Sequence, residues 1–156
     1  MLIKDLSPRN QKWHSFAEQV GVTSQQSQTE TQMLDVFRRL WNCEVLNRMK
    51  EPFWRLVYDS IPTPARVHLP HLSCSCGSSN PDRNHYFWDC TIFQEMVSYI
   101  QSKTGKVVTK EMVWMVHPPE TIYIRVWEVL VLGMIYSREH IRRRECRLER
   151  ERLSLQ

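Results

Sequence analysis

Cys74-Ser75-Cys76-Gly77-Ser78-Ser79-Asn80-Pro81-Asp82-Arg83-Asn84-His85-Tyr86-Phe87-Trp88-Asp89-Cys90 is the stretch on which the fold turns. It reads C-x-C-x8-H-x4-C and gathers three thiols and an imidazole within seventeen residues. That donor set suits tetrahedral Zn²⁺, held by deprotonated sulfur and a neutral ring nitrogen. A Cys pair on a tight turn aims both sulfurs at one ion, and Gly77 supplies the backbone freedom the turn needs. The polar run from Ser78 to Asp82 brings the chain back. His85 and Cys90 then close the site from the start of the next helix. Tyr86, Phe87 and Trp88, between those two, are placed to cover its apolar flank. With all four positions filled by protein, one structural Zn²⁺ per chain is expected and no open position for water activation. The competing reading makes the Cys buried hydrophobes, but a polar loop is a poor place to bury two Cys one residue apart. His71, three residues before Cys74, is the one substitute ligand the spacing offers.

Around this loop the sequence reads as helix. Thr29 and Gln32 make a capping-box pattern, followed by Leu34, Phe37, Trp41, Val45 and Met49 at helical spacing, so a helix is expected from 29 to about 50. Pro52 suits the first turn of a second helix, filled by Phe53, Trp54, Leu56, Val57 and Tyr58. Ile61-Pro62-Thr63-Pro64 must end it. After the loop, Thr91 and Gln94 repeat the capping spacing. Phe93, Met96, Val97 and Ile100 form an apolar stripe, and Gly105 is a natural C-terminal cap. Thr109 caps a short helix with Met112, Val113 and Met115, which His117-Pro118-Pro119 breaks. A last helix starts near Pro119 or Glu120. Its first half is apolar nearly all round, so it should be central.

From Ser137 that helix becomes almost wholly charged and is expected to leave the core and project into solvent. The N-terminal segment holds Trp13, Phe16, Ala17 and Val20 at helical spacing, followed by a polar linker over 23–32. The expected architecture is all-α: about five helices, a zinc-stapled loop between the second and third, and a protruding charged C-terminal helix. Expected boundaries are 1–28 for the N-terminal segment, 29–136 for the zinc-binding domain and 137–156 for the extension.

Composition narrows the function classes. The chain has 156 residues, 42% hydrophobic and 24% charged, with six Trp and a net charge of +4, ordinary for one globular domain. The longest apolar run, Ile122 to Tyr136, is interrupted by Arg125 and Glu128 and is too short for a membrane span. Five Cys, three of them in the loop, point to reduced thiols and an intracellular chain rather than a disulfide framework. Met1 to Asp5 carry no apolar signal region. Four Gly leave no phosphate loop, and no His stands with a nucleophile or carboxylate at an informative spacing, so no catalysis is expected.

The same landmarks resemble a known family. Phe53-Trp54-Arg55-Leu56-Val57-Tyr58-Asp59-Ser60-Ile61-Pro62-Thr63, then the Cys pair, then His85-Tyr86-Phe87-Trp88-Asp89-Cys90, is similar to the zinc-binding domain C-terminal to the reverse transcriptase of LINE-type (non-LTR) retroelements. The resemblance covers roughly residues 30–100, with C-x-C standing where that family has C-x2-C. It implies a small helical domain that positions RNA or DNA beside a polymerase, with Cys74, Cys76, His85 and Cys90 as zinc ligands. The polymerase itself is absent, since no Tyr-x-Asp-Asp occurs. The chain is then either a fragment of a retroelement protein or, the favoured expectation, a stand-alone, domesticated descendant, acting in the nucleus.

Two functions are therefore expected. In the first, Arg83 and Asn84 of the loop and the triplet Arg142, Arg143 and Arg144 contact the phosphates of RNA or DNA. The Glu residues interleaved with those Arg count against it. In the second, the chain is a scaffold subunit that docks a protein partner through its aromatic surface or charged helix.

Overall fold

The computed structural model describes residues 7–21, 26–69 and 72–155. His71 lies outside the described residues. Among them there are six α-helices and no strand: α1 (Pro8–Val20), α2 (Gln26–Trp41), α3 (Asn47–Val57), α4 (Thr91–Thr104), α5 (Lys110–Trp114) and α6 (Ile124–Ser154). No helix among the described residues is long and apolar enough to cross a membrane.

α1 is a well-formed helix. Ser7 caps it by accepting from the Asn10 N–H at 3.2 Å, and Gly21 ends it in the left-handed region at φ 92°. Trp13 and Phe16 are buried in the same core as the rest of the chain. Phe16 stacks on Trp114 with ring centroids 5.1 Å apart. The boundary expected near residue 28 therefore divides one continuous core. The linker expected over 23–32 is helical from Gln26 onward, and Thr29, read as a cap, is a buried residue inside α2.

The helix expected from 29 to 50 is broken. α2 ends at Trp41 and α3 begins at Asn47, so Pro52 falls inside α3 instead of at its start. Lys50 is buried and donates to the Trp41 carbonyl at 3.0 Å, satisfying one of the carbonyls that the end of α2 leaves unpaired. The apolar stripe of α2 has the expected period but a different register. Met33, Val36 and Leu40 face the core, while Leu34 and Trp41 are 46% and 69% exposed.

α5 is capped by Thr109 as its sequence predicts, and Gly105 closes α4 at φ 68°. The N-cap of α4 is Cys90 rather than Thr91, with extended backbone at φ −60° and ψ 136° and no side-chain cap.

α6 packs along α3, and also against α4 and the turn before it. It starts at Ile124, after Tyr123, later than Pro119. Trp127, Val131, Leu132 and Ile135 are fully buried. Burial does not stop where the sequence turns charged, because Arg138, Glu139 and Arg142 are also buried. The expected projection begins only beyond them. Glu128, fully buried, is held by Arg39 at 3.4 Å and Arg125 at 3.1 Å.

Candidate metal centre

The loop between α3 and α4 folds as a knuckle and a wide helical turn. In the knuckle, the Cys74 N–H donates to the Ser78 carbonyl at 3.0 Å and the Gly77 N–H to the Cys74 carbonyl at 2.9 Å. The second bond closes a four-residue turn, with Cys76 third in it. Gly77 follows at φ 98°, where a β-carbon would be strained. This is how a C-x-C pair, one residue shorter than the usual spacing, presents both sulfurs to one point.

The wide turn spans His85–Asp89. Its entry is fixed by Asp82, whose Oδ1 accepts from the His85 N–H at 2.8 Å. Its exit is an i→i−5 bond, from the Cys90 N–H to the His85 carbonyl at 2.7 Å, which is the π-helical spacing. The extra residue in the turn carries Cys90 round to the side on which His85 lies. Tyr86 and Phe87 point into the core, and Trp114 Nε1 anchors the turn by donating to the Phe87 carbonyl at 3.0 Å.

Cys74, Cys76, His85 and Cys90 converge, their ligand atoms all within 4.8 Å of one another. The Cys74 and Cys90 sulfurs are 3.7 Å apart, and Cys76 Sγ lies 3.3 Å from His85 Nε2. Bonds of about 2.3 Å to sulfur and about 2.0 Å to nitrogen give tetrahedral edges of roughly 3.8 Å and 3.5 Å. The donor set therefore fits a single tetrahedral ion.

The surroundings favour the ligand forms unevenly. Burial lowers the His85 pKa, and nearby Arg138 adds to this, which leaves the imidazole neutral with a lone pair to give. Burial pushes the Cys74 thiol up to about 12. Burial works the same way on Cys90, but the Ile92 N–H, the Arg138 charge and bonds from the other two Cys hold it below the ordinary thiol value. A metal must therefore displace protons to bind. Adding it to metal-free protein near pH 8 is expected to release protons, up to one per thiol, and retention should fall as the pH is lowered. An indicator-dye titration in weak buffer checks this; uptake without acidification would contradict thiolate ligation.

A residue that the loop pattern does not contain completes the centre. Arg138 of α6 is fully buried beneath it. Its Nε donates to the Tyr86 carbonyl at 2.9 Å, and its Nη2 lies 3.4 Å from both the Cys74 and Cys90 sulfurs. Ser75 Oγ, at the knuckle tip, donates to Glu145 Oε1 at 2.5 Å. Helical spacing is the signal that finds Arg138: Val131, Ile135, Arg138 and Arg142 continue one stripe down α6.

The residues expected to meet phosphate divide. Arg83 is buried, and its donors are spent on Gln19 Oε1 at 2.6 Å and on the carbonyls of Leu56 at 2.8 Å and Val57 at 3.2 Å. It ties α1 to the C-terminus of α3 and is not a phosphate contact. Asn84 is half-buried, giving its amide to Asp89 at 2.7 Å and accepting from Lys110. Arg142 is buried against Glu139. Burial opposes its charge, but the Glu139 carboxylate holds its pKa above the ordinary value. Arg143 and Arg144 are exposed, Arg143 bonding Glu139 at 2.9 Å.

Comparison with protein-family models, with curated proteins and with solved structures finds no match for this chain.

Proposed function

We propose that this protein is a non-catalytic, zinc-stapled helical module that binds the backbone of RNA or DNA, of the kind that accompanies retroelement reverse transcriptases. Zinc is the metal that three thiolates and an imidazole in a closed tetrahedron favour. With every position filled by protein, its part is to hold the fold.

The observation that carries the nucleic-acid reading is how α6 sorts its charges. In sequence, Arg and Glu alternate there. On the helix, Glu139 is buried against Arg142 and Glu145 is tied to Ser75. Arg144, Arg147 and Arg150 are exposed and have no ion-pair partner among the described residues. At about 100° per residue these three fall within an arc of roughly 120°, with His140 and Arg143 inside it. Glu139, Glu145 and Glu149 fall outside this arc and the exposed Glu151 inside it, so the stripe keeps a net positive charge, which is the electrostatic footprint of phosphate binding.

The test is a fluorescence-anisotropy titration of zinc-loaded protein with single-stranded RNA, single-stranded DNA and duplex DNA across a range of salt. Binding should weaken steeply with salt. Arg144→Ala, Arg147→Ala and Arg150→Ala together should flatten the duplex log–log slope by about 2–3, at roughly 0.9 per lost contact. An unchanged slope would take the stripe out of the reading.

A second reading has its own observation. Leu34, Phe37, Arg38, Trp41, Asn42 and Trp54 line a surface groove of about 460 Å³, with Trp41 mostly exposed. Large exposed apolar surface rimmed by polar groups marks interaction sites. Absence of nucleic-acid binding even at low salt would favour a scaffold subunit that docks a protein there.

A further inference from the structure

We infer that Arg138 is the counter-ion of the metal centre, neutralising it through N–H···S bonds and making metal binding and the seating of α6 one cooperative event. The inference rests on the reading of Cys74, Cys76, His85 and Cys90 as metal ligands.

The argument begins from charge. Three thiolates and one imidazole around a divalent ion carry one net negative charge. The two inner thiolates, Cys74 and Cys90, are 2% and 0% exposed, so water does little to spread that charge. An uncompensated buried charge is strongly unfavourable. Arg138 faces the same difficulty with the opposite sign. It is 0% exposed, and among the described residues no carboxylate lies within ion-pair distance of it. Its neighbours are the Tyr86 carbonyl, the face of the Tyr86 ring at 5.0 Å and the two sulfurs, while Nη1 finds no acceptor. The other buried arginines differ. Arg142 has Glu139 at 2.6 Å and Arg83 has Asp59 at 3.8 Å. Among the described residues, the two sulfurs are the only groups beside Arg138 that can carry a negative charge to answer it.

The arrangement also has a directional consequence. Nη2 is shared between Cys74 of the knuckle and Cys90 at the start of α4, while Nε holds the wide turn between them. One side chain of α6 thus grips every part of the finger. Hydrogen bonds to a metal-bound thiolate draw off electron density and orient it, so such outer partners tune both affinity and spectrum. Arg138 is a positioning residue in this sense; it does not touch the ion.

The test uses the full chain with Arg138→Met and Arg138→Lys. Zn²⁺ affinity is read by competition with a chromophoric chelator, and Co²⁺ is substituted to read the site optically. Wild-type protein is expected to take up one ion per chain. Arg138→Met should lose about 10–100-fold in affinity, and Arg138→Lys should recover part of it by restoring the charge. In Arg138→Met the sulfur-to-cobalt charge-transfer band should move while the tetrahedral d–d bands remain. Affinities within twofold of wild type, with an unmoved band and an equal loss of Tm with and without metal, would reduce Arg138 to a packing residue and overturn the inference. Should Arg138→Met fail to fold, Arg138→Gln, which keeps N–H donors but removes the charge, carries the test, since full affinity and an unmoved band there would overturn it equally. A wild-type chain that takes up no metal would overturn the ligand reading itself, a separate result.

Discussion

Replacing Cys90 with Ser, or stripping the metal with a chelator, is expected to release the knuckle, residues 72–80, from the helical body and lower Tm by roughly 8–16 °C. The size follows from linkage. A ligand a thousandfold above its Kd stabilises the folded state by about 4 kcal/mol, and each kcal/mol moves Tm by about 2–4 °C in a domain of this length. The segment has little else to hold it. Ser73, Ser75, Cys76 and Gly77 are exposed, and its apolar anchors are Leu72 and Cys74. Its remaining ties are the knuckle bonds and Ser75 to Glu145, with the Ala65 N–H to the Pro81 carbonyl at 3.2 Å just beyond it. None of these offsets the chain entropy of the loop, at about 1–2 kcal/mol per ordered residue. Cys90 is the sharpest choice because its sulfur both faces the donor cluster and accepts from Arg138. Cys146→Ser, outside the cluster, is the control and should retain full metal content. Differential scanning calorimetry with elemental analysis reads both; full metal in Cys90→Ser, or an unmoved Tm after chelation, would show that the cluster is not a ligand set.

The legible and illegible parts of this molecule separate along a physical line. Local chemistry could be read: the thiol and imidazole pattern, the Thr109 cap and the Gly105 stop each act through neighbours in sequence. What could not be read depends on partners far along the chain. The break between α2 and α3 has no Pro or Gly at its start. It is stabilised by Lys50 folding back on Trp41, a contact the composition of 42–46 does not announce. The register of α2 was ambiguous because Leu34 and Met33, or Trp41 and Leu40, are adjacent apolar pairs. Phe37, on the border between the two stripes, packs on Trp13 of α1 with centroids 5.4 Å apart, while Met33, Val36 and Leu40 are buried beside it. Thr29 resembled a cap because its spacing to Gln32 is right. Helix starting at Gln26 places it in the first turns instead.

Arg83 is the most instructive case. A basic residue in a polar finger loop suggests phosphate. Arg83 instead meets the Leu56 and Val57 carbonyls, where the end of α3 concentrates partial negative charge and a guanidinium is favoured. The sequence pattern of α3 did predict its end near Ser60; it did not say who would satisfy that end.

The charged half of α6 carries the second large effect. Glu139→Ala is expected to destabilise the protein by about 3–5 kcal/mol, the cost of leaving one member of a buried ion pair alone. Glu139 and Arg142 side chains are 3% and 4% exposed, and their bonds are bidentate at 2.6 Å and 2.8 Å. Without the carboxylate, Arg142 keeps only the Pro62 carbonyl at 3.5 Å and Cys146 Sγ at 3.7 Å, both too long to compensate a charge. Arg143, more than half exposed, loses its partner to water at little cost. The comparison that separates charge from packing is the double variant Glu139→Met with Arg142→Met. A buried pair replaced by apolar side chains of similar volume is often neutral, so the double variant should be more stable than Glu139→Ala. Urea unfolding measures all of these; a loss below about 1 kcal/mol for Glu139→Ala would place this segment in solvent after all. The expected result would mean that α6 belongs to the core through Arg142, and that the exposed Arg stripe beyond it is carried on a helix whose base is fixed by Glu139 and by the finger.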